Sequence, residues 1–206
     1  MSLRASLFAA MYDRMSRKSE EAGVSDMRDD LLADAGGHIL EIGGGTGANL
    51  SHYGAKVESL VVTEPDDAML RRLQDKAREQ APLAKVVQAP AENLPFEDAS
   101  FDIVVSTLVL CGVDDQERSL REVRRVLRPG GRLHFLEHVR SDDPAVARFQ
   151  DRINWLNHLV AGCDCNRRTL SAIEVAGFTV SRLEQTALPK APKFVRPSIV
   201  GVAVAG

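Results

Sequence analysis

A glycine-rich turn is the first feature of the 206-residue sequence that predicts chemistry. Residues 41–47 read Glu-Ile-Gly-Gly-Gly-Thr-Gly and stand between an apolar run and a helical pattern. Glycines let the backbone turn sharply and approach a ligand closely, and Gly43, Gly45 and Ala48 also satisfy the dinucleotide-binding pattern. Glu64 follows the next apolar run about twenty residues on, where a carboxylate accepts both hydroxyls of a ribose. Together the turn and Glu64 indicate a cofactor that contains adenosine.

Glu41 distinguishes between two such cofactors. It stands beside the place where a dehydrogenase holds a pyrophosphate, and a carboxylate there repels a phosphate anion. S-adenosylmethionine has no phosphate, and its sulfonium and α-ammonium groups are attracted to a carboxylate. The residue therefore favours S-adenosylmethionine over a nicotinamide dinucleotide. The alternative interpretation of Glu41 is a solvated residue at the end of a strand.

A polar loop at residues 89–96 follows the third apolar run. Ala91 and Glu92 in this loop are placed to offer a backbone amide and a side chain to the edge of an adenine. The alternative is a surface turn that ends at Pro95.

His138 is the candidate for acceptor chemistry. It stands just past the fifth predicted strand, on the edge where open α/β sheets bind their ligands, and an imidazole there can act as a general base. A hydrogen-bonded structural histidine is the alternative. We expect His158 to be a surface residue of its helix and Cys111 to be a small buried hydrophobe. Phe149 and the neighbouring apolar residues Trp155 and Leu156 predict either core packing, which we favour, or an apolar lid over the acceptor.

The order of apolar runs and helical patterns predicts an α/β fold. Strands are expected at residues 38–42, 60–64, 85–89, 101–106, 132–137, 178–184 and 198–205, and helices at 67–80, 115–127, 145–160 and 169–176. Short β-branched runs are typical of a parallel sheet buried on both faces. We therefore predict a single domain over residues 1–206, with a Rossmann-like, doubly wound, mostly parallel seven-stranded sheet and helices on both faces. Residues 145–165 form its substrate-side helical segment.

Composition excludes several classes of function. The net charge of -3 lacks the basic excess of a nucleic-acid-binding protein. The three cysteines are Cys111, Cys163 and Cys165, an odd number that argues against a disulfide framework. Because Cys163 and Cys165 have no second pair or His cluster nearby in sequence, we expect no metal. No apolar run approaches the ~20 residues of a membrane span, so we expect a cytoplasmic protein without a membrane anchor.

Several ordered segments resemble class I S-adenosylmethionine-dependent methyltransferases. They are residues 40–47, Glu64, 91–96, 100–104 and 120–131. Residues 8–13 look like the N-terminal helix that closes over the cofactor in this group, so the resemblance implies a helical lid at residues 1–30. The cofactor-binding residues that the resemblance implies, together with the arguments above, are Tyr12, Glu41, Gly43, Gly45, Gly47, Glu64, Ala91, Glu92 and Thr107.

A narrower resemblance concerns the acceptor. Residues 107–113, 137–139, 165–166 and 195–199 are similar to thiol S-methyltransferases, which are relatives of the quinone-biosynthesis C-methyltransferases. This implies methyl transfer to a small molecule, with a thiol as the favoured acceptor. Ser198 departs from the histidine common among close relatives, and we expect no counterpart of the membrane anchor of the animal enzymes. The alternatives are C- or O-methylation of a quinone or phenol, a nicotinamide-dependent oxidoreductase, and a Rossmann-fold binding protein without catalysis.

Overall fold

The computed structural model describes residues 17–206. Tyr12 and the first half of the predicted lid therefore lie outside the described residues. The described chain begins with a helical segment that includes a π-helical turn at Glu20–Val24, and Gly23 in this turn takes a positive φ of 131°. A second helix, at Ser25–Leu32, follows at once.

Seven strands form one sheet. They are β1 (Gly37–Ile42), β2 (Val57–Thr63), β3 (Lys85–Val87), β4 (Phe101–Thr107), β5 (Leu127–His138), β6 (Phe178–Ala187) and β7 (Pro197–Ala205). Their order is β3-β2-β1-β4-β5-β7-β6. Strands β1 to β5 pair in parallel, whereas β7 runs antiparallel to both β5 and β6. This confirms the predicted mostly parallel seven-stranded sheet.

Five α-helices follow the first helical segment, one before β1 and four after β2. They are α1 (Ser25–Leu32), α2 (Asp67–Gln80), α3 (Gln116–Val126), α4 (Pro144–Ala161) and α5 (Thr169–Val175). An aspartate caps the start of α2, α3 and α4, where the side chains of Asp66, Asp115 and Asp143 accept backbone N–H groups of the first turn. These local signals explain why the predicted starts of the helices lie within a residue or two of the observed ones.

The sheet has an apolar layer on each face. Leu40 and Ile42 of β1 pack in a core that includes α3 and α5. Ile39 of the same strand packs on the other side, with Leu31 of α1 and Leu73 of α2. Successive side chains of a strand point to opposite faces, so a buried parallel strand serves both cores. The predicted placement of helices on both faces follows from this alternation.

Helix α4 differs from the prediction of core packing. Trp155 is 69% exposed and Phe149 is 50% exposed, so the favoured interpretation of this apolar stripe was wrong. The helix buries only Ala147 and Gln150, and the amide of Gln150 donates to the backbone oxygens of Val139, Cys165 and Phe194. Polar anchoring by Gln150 therefore holds this helix and leaves its apolar side outside the core.

Several strand boundaries also differ from the prediction. Strand β5 begins at Leu127 and runs through residues 128–131, which stand between the predicted helix at 115–127 and the predicted strand at 132–137. Strand β3 ends at Val87, two residues before the predicted end. As expected, His158 is a surface residue of α4, with a side chain that is 52% exposed. No helix within residues 17–206 is long and apolar enough to cross a membrane.

Candidate active site

A cavity of about 430 Å³ opens at the carboxyl edge of the sheet. The loops after β1, β2, β3 and β4 meet there, as expected for a ligand site in an open α/β sheet. Five residues predicted from the sequence to bind a cofactor line it: Gly43, Gly45, Glu64, Ala91 and Glu92. The other residues of its wall are Pro65, Asp66, Met69, Pro90, Leu108, Val109, Gly112, Val113, Asp114, Ala161 and Gly162. Among these additional residues, Leu108, Val109, Gly112 and Val113 belong to the segment 107–113 that resembles thiol S-methyltransferases, and Ala161 and Gly162 belong to the predicted substrate-side segment 145–165.

The glycine turn needs its glycines for two reasons. Gly43, Gly45 and Gly47 all have positive φ values, of 57°, 57° and 83°. A Cβ at Gly43 would lie 2.6 Å from Val109 Cγ1, and one at Gly47 would lie 2.6 Å from Leu50 Cδ1. At Gly45 no atom lies within 4 Å of such a Cβ, so only the backbone conformation demands glycine there. The turn thus brings bare backbone to the wall of the cavity.

Glu64 is fixed at the end of β2. Its Oε2 accepts the N–H of Gly45 at 2.9 Å and its Oε1 accepts the N–H of Asp66 at 2.9 Å. The side chain is almost buried, and that burial raises the pKa of its carboxyl group. Each carboxylate oxygen has lone pairs left for hydroxyl groups in the cavity.

Two other carboxylates hold the loop after β4. Glu137 on β5 is fully buried, and its Oε1 accepts from Ser106 Oγ at 2.7 Å and from the N–H groups of Val109 and Leu110 at 3.1 Å each. Burial raises the pKa of Glu137. Glu92 Oε1 accepts the N–H of Asp114 at 2.8 Å at the far end of the same loop. These bonds fix the cavity wall opposite the glycine turn.

Glu41 lies beneath the turn and, among the described residues, outside the lining of the cavity. It is 2% exposed, and its carboxylate accepts from Tyr53 Oη at 2.7 Å and from Asn49 Nδ2 at 3.0 Å. Burial raises the pKa of Glu41 to about 7, although both bonds and the nearby Arg28 favour its charged form. A solvated strand end, the alternative interpretation, was wrong. Its attraction for a cationic cofactor stays a prediction.

Thr107 belongs to the same buried polar network. Its Oγ1 accepts from Arg28 NH1 at 2.9 Å and from Asn49 Nδ2 at 3.0 Å. Arg28 also donates to Asn49 Oδ1 and forms an ion pair with Glu20 at 2.9 Å. No motif in the sequence indicated Arg28 or Asn49, because their role depends on helix α1 packing behind the glycine turn. The network joins the predicted lid region to the cofactor loop.

His138 ends β5 and meets two cysteines. Its Nε2 lies 3.3 Å from Cys163 Sγ, and Asn157 Nδ2 lies 3.4 Å from the same sulfur. Cys111 also contacts Cys163, and the hydrogen bond between the two thiols lowers the pKa of Cys163 while raising that of Cys111. Cys111 is buried, as predicted, but it belongs to a polar cluster. Sequence spacing could not reveal this cluster, because its members lie 25 or more residues apart.

Comparisons with known proteins identify the family to which the chain belongs. A methyltransferase-domain family profile matches residues 40–135. The human thiol S-methyltransferase TMT1A is 34% identical over 205 residues, which is 96% of this chain and 82% of that protein. The chain belongs to the class I S-adenosylmethionine-dependent methyltransferases. It is therefore an enzyme whose methyl donor is S-adenosylmethionine, and the nicotinamide-dependent oxidoreductase was the wrong alternative.

More distant relatives of this methyltransferase agree with that conclusion. The ubiquinone/menaquinone biosynthesis C-methyltransferase UbiE of Idiomarina loihiensis is 39% identical over 104 residues, covering 48% of this chain and 41% of that protein. A crystal structure of a S-adenosylmethionine-dependent methyltransferase from Thermotoga maritima has a TM-score of 0.74, with 98% of both chains covered. At 23% identity the latter shows the fold alone.

The cavity of this methyltransferase fits its donor in two respects. The glycine turn forms a cradle that a Cβ at Gly43 would obstruct. Glu64 presents a fixed carboxylate at the position where the fold binds ribose.

Proposed function

We propose that this methyltransferase transfers the methyl group of S-adenosylmethionine to the thiol of a small molecule. The observation that carries the proposal is the similarity to human thiol S-methyltransferase TMT1A over almost the whole chain. Similarity over the cofactor half alone would support only the identity of the donor, since methyltransferases with many different acceptors share this fold. Here the similarity extends over the C-terminal residues, which include His138 and α4.

The proposed cofactor-binding set keeps every residue expected from the sequence. Glu64 accepts the ribose hydroxyls, and Ala91 and Glu92 face the adenine. Gly43 and Gly45 give backbone contact, whereas Gly47 shapes the turn by packing against Leu50. Glu41 and Thr107 act from behind the turn through the network of Arg28 and Asn49. Tyr12, which lies outside the described residues, completes the proposed set.

Catalysis depends mainly on alignment of the acceptor with the methyl group of the donor. When bound, the donor supplies a methyl group activated by a sulfonium. The loops held by Glu64 and Glu137 fix the cavity, and such positioning contributes up to roughly 7–11 kcal/mol to lowering a barrier. A thiol is only a few per cent ionised near neutrality, so its activation adds to the rate. His138 is assigned to this task at the acceptor side of the site.

A product assay tests the proposal. Release of S-adenosylhomocysteine is measured with matched alkyl and aryl thiols, phenols, amines and quinols, each also followed by mass spectrometry of the methylated product. We expect turnover with a subset of the thiols. Turnover of quinols or phenols with no thiol methylated would overturn the proposal in favour of the C- or O-methylation that the partial similarity to UbiE supports.

The proposed setting is the cytoplasm, with no nucleic acid as partner. Cys111 and Cys163 lie side by side as free thiols, a state that a reducing compartment maintains.

A further inference from the structure

Three side chains that commonly bind soft metal ions converge beside the active site. Cys111 lies in the loop after β4, His138 ends β5, and Cys163 follows α4. One ligand atom from each residue lies within 4.8 Å of the other two. Two of these atoms, His138 Nε2 and Cys163 Sγ, are 3.3 Å apart. Three separate elements therefore deliver two thiols and one imidazole to a single point.

The spacing and ligand types match a zinc site. Zinc binds sulfur at about 2.3 Å and imidazole nitrogen at about 2.0–2.1 Å, which puts neighbouring ligands of a tetrahedron roughly 3.5–3.8 Å apart. The observed separations need only small side-chain adjustments to reach these values. Within residues 17–206, the buried Nδ1 of His138 has no hydrogen-bond partner. No donor there therefore opposes the tautomer that carries its hydrogen on Nδ1 and leaves Nε2 unprotonated for a metal.

The cluster lies directly behind the wall of the cofactor cavity. Gly112 follows Cys111 and Gly162 precedes Cys163, and both glycines line the cavity. The two loops touch closely: a Cβ at Gly112 would lie 3.1 Å from the carbonyl oxygen of Gly162. Cys111 and His138 are buried, whereas Cys163 is partly exposed. An ion held here would therefore lie one residue away from the cavity lining on two loops.

We propose that Cys111, His138 and Cys163 bind a Zn²⁺ ion whose fourth position takes the sulfur of the acceptor thiol. Three protein ligands and an open position are the arrangement of a catalytic zinc site. The identity of the fourth ligand rests on the proposed function, whereas binding of the ion itself does not. His138 then acts on the acceptor by holding the metal, which refines the role of general base predicted from the sequence.

The step balances without an oxidant or reductant. The acceptor thiol loses its proton to solvent when its sulfur binds the ion, since coordination deprotonates a thiol. The coordinated sulfur then forms its bond to the methyl carbon, while the electron pair of the broken bond stays on the donor's sulfur. The methylated product is a neutral thioether, a weaker ligand than a thiolate, so it leaves the ion.

Cys165 supplies a matched control. It is a buried cysteine two positions from Cys163, but its sulfur faces Asn154 Oδ1 at 3.6 Å and the carbonyl oxygen of Gln150 at 3.9 Å. The sequence predicted no metal because no second cysteine pair or His cluster stands near this pair, whereas in the structure Cys163 reaches Cys111 and His138. Substitution of either cysteine by serine replaces one sulfur with an oxygen in the same loop.

Metal analysis tests the proposal. The full chain is purified under reducing conditions, incubated with Zn²⁺, dialysed and analysed by mass spectrometry for bound metal. We expect one zinc per chain in wild type and in Cys165→Ser. Loss of a residue that only supports a ligand lowers metal affinity by about 10–100-fold, so we expect larger losses for Cys111→Ser, His138→Ala and Cys163→Ser. Loading with Co²⁺ gives a second measurement, a thiolate-to-cobalt charge-transfer band that the three ligand variants weaken and Cys165→Ser keeps.

The outcomes distinguish failure of the zinc site from failure of the proposed thiol acceptor. Circular dichroism and donor binding confirm that each variant is folded. The site would be overturned if wild type held no zinc after loading, or if Cys163→Ser held as much zinc as wild type. A Cys111–Cys163 disulfide that persists under the reducing purification would also overturn it. Zinc binding together with no thiol methylation would leave the site standing and reject the proposed acceptor. Thiol methylation that persists unchanged after complete removal of zinc would overturn the catalytic role of the ion.

Discussion

Glu64 and Gly45 are joined by a hydrogen bond of 2.9 Å between the carboxylate Oε2 and the backbone N–H. The bond links the end of β2 to the glycine turn after β1, two segments nineteen residues apart in sequence. A second bond from the Asp66 N–H holds the other carboxylate oxygen. The carboxylate that we propose as the ribose acceptor is thus fixed before the donor arrives, which reduces the entropy lost on binding.

Glu64→Ala should weaken binding of S-adenosylmethionine. A hydrogen bond to a charged group contributes about 1.5–3 kcal/mol, and two such ribose bonds are lost. Isothermal titration calorimetry gives the change, with exposed Glu97→Ala as the control for loss of a carboxylate elsewhere. A folded Glu64→Ala variant with unchanged affinity would remove Glu64 from the site.

Binding of the donor should weaken as the pH falls below about 7. Burial raises the pKa of Glu41 to about 7, so the carboxylate is mainly protonated below that pH and no longer attracts a cation. The Glu41→Gln variant should bind the donor at every pH as weakly as wild type does at low pH, so its donor affinity should not depend on pH in this range. Neutral adenosine should bind the variant and wild type similarly throughout. Equal losses for donor and adenosine would contradict the electrostatic role of Glu41.

The sequence revealed features that depend on local pattern. The strands, the aspartate caps of α2 to α4, the glycine turn and Glu64 all follow from neighbouring residues or from fixed spacing after a strand. Arg28, Asn49 and the Cys111–Cys163 contact do not, because each depends on which distant segments pack together. The exposed side of α4 was mispredicted for a related reason. An apolar stripe shows that a helix has two sides, but the buried amide of Gln150 decides which side faces the protein.

Gly43→Ala should lower both the free energy of unfolding and donor affinity. A left-handed conformation costs a non-glycine residue about 1–2 kcal/mol, and the new Cβ would also clash with Val109. Gly130→Ala is the matched control, because Gly130 has a φ of 75° and no atom within 4 Å of an added Cβ. The Gly43→Ala variant should lose more stability than Gly130→Ala, and adding Val109→Ala to Gly43→Ala should remove that difference. Chemical denaturation measures all four proteins, and no recovery would contradict a steric cause.

Stability should fall as the pH is lowered from 6.5 to 4 because of His134. This side chain is buried, its Nδ1–H donates to the carbonyl oxygen of Leu31 at 3.0 Å, and burial lowers its pKa to about 4. Between the folded value and an unfolded value of about 6.5, the unfolded chain binds more protons, so acid favours unfolding by up to about 3 kcal/mol. His134→Gln should reduce this slope, whereas exposed His158→Gln should keep it. Identical pH slopes for wild type and His134→Gln would count against the argument.

His138→Ala should lower the rate of thiol methylation while leaving donor affinity nearly intact. A free thiol has a pKa of about 8.5, so near neutral pH it depends on the enzyme for ionisation. Above pH 9 the thiol ionises in solution, and the rate lost in His138→Ala should shrink accordingly. The test is kcat/KM against pH for wild type, His138→Ala and the control His158→Ala. For an acceptor with a lower thiol pKa, the pH at which the two profiles converge should move down by the same amount. A ratio of wild-type to His138→Ala rates that stays constant from pH 6 to 10 would assign His138 a structural role, because a purely structural defect does not depend on the acceptor's own ionisation.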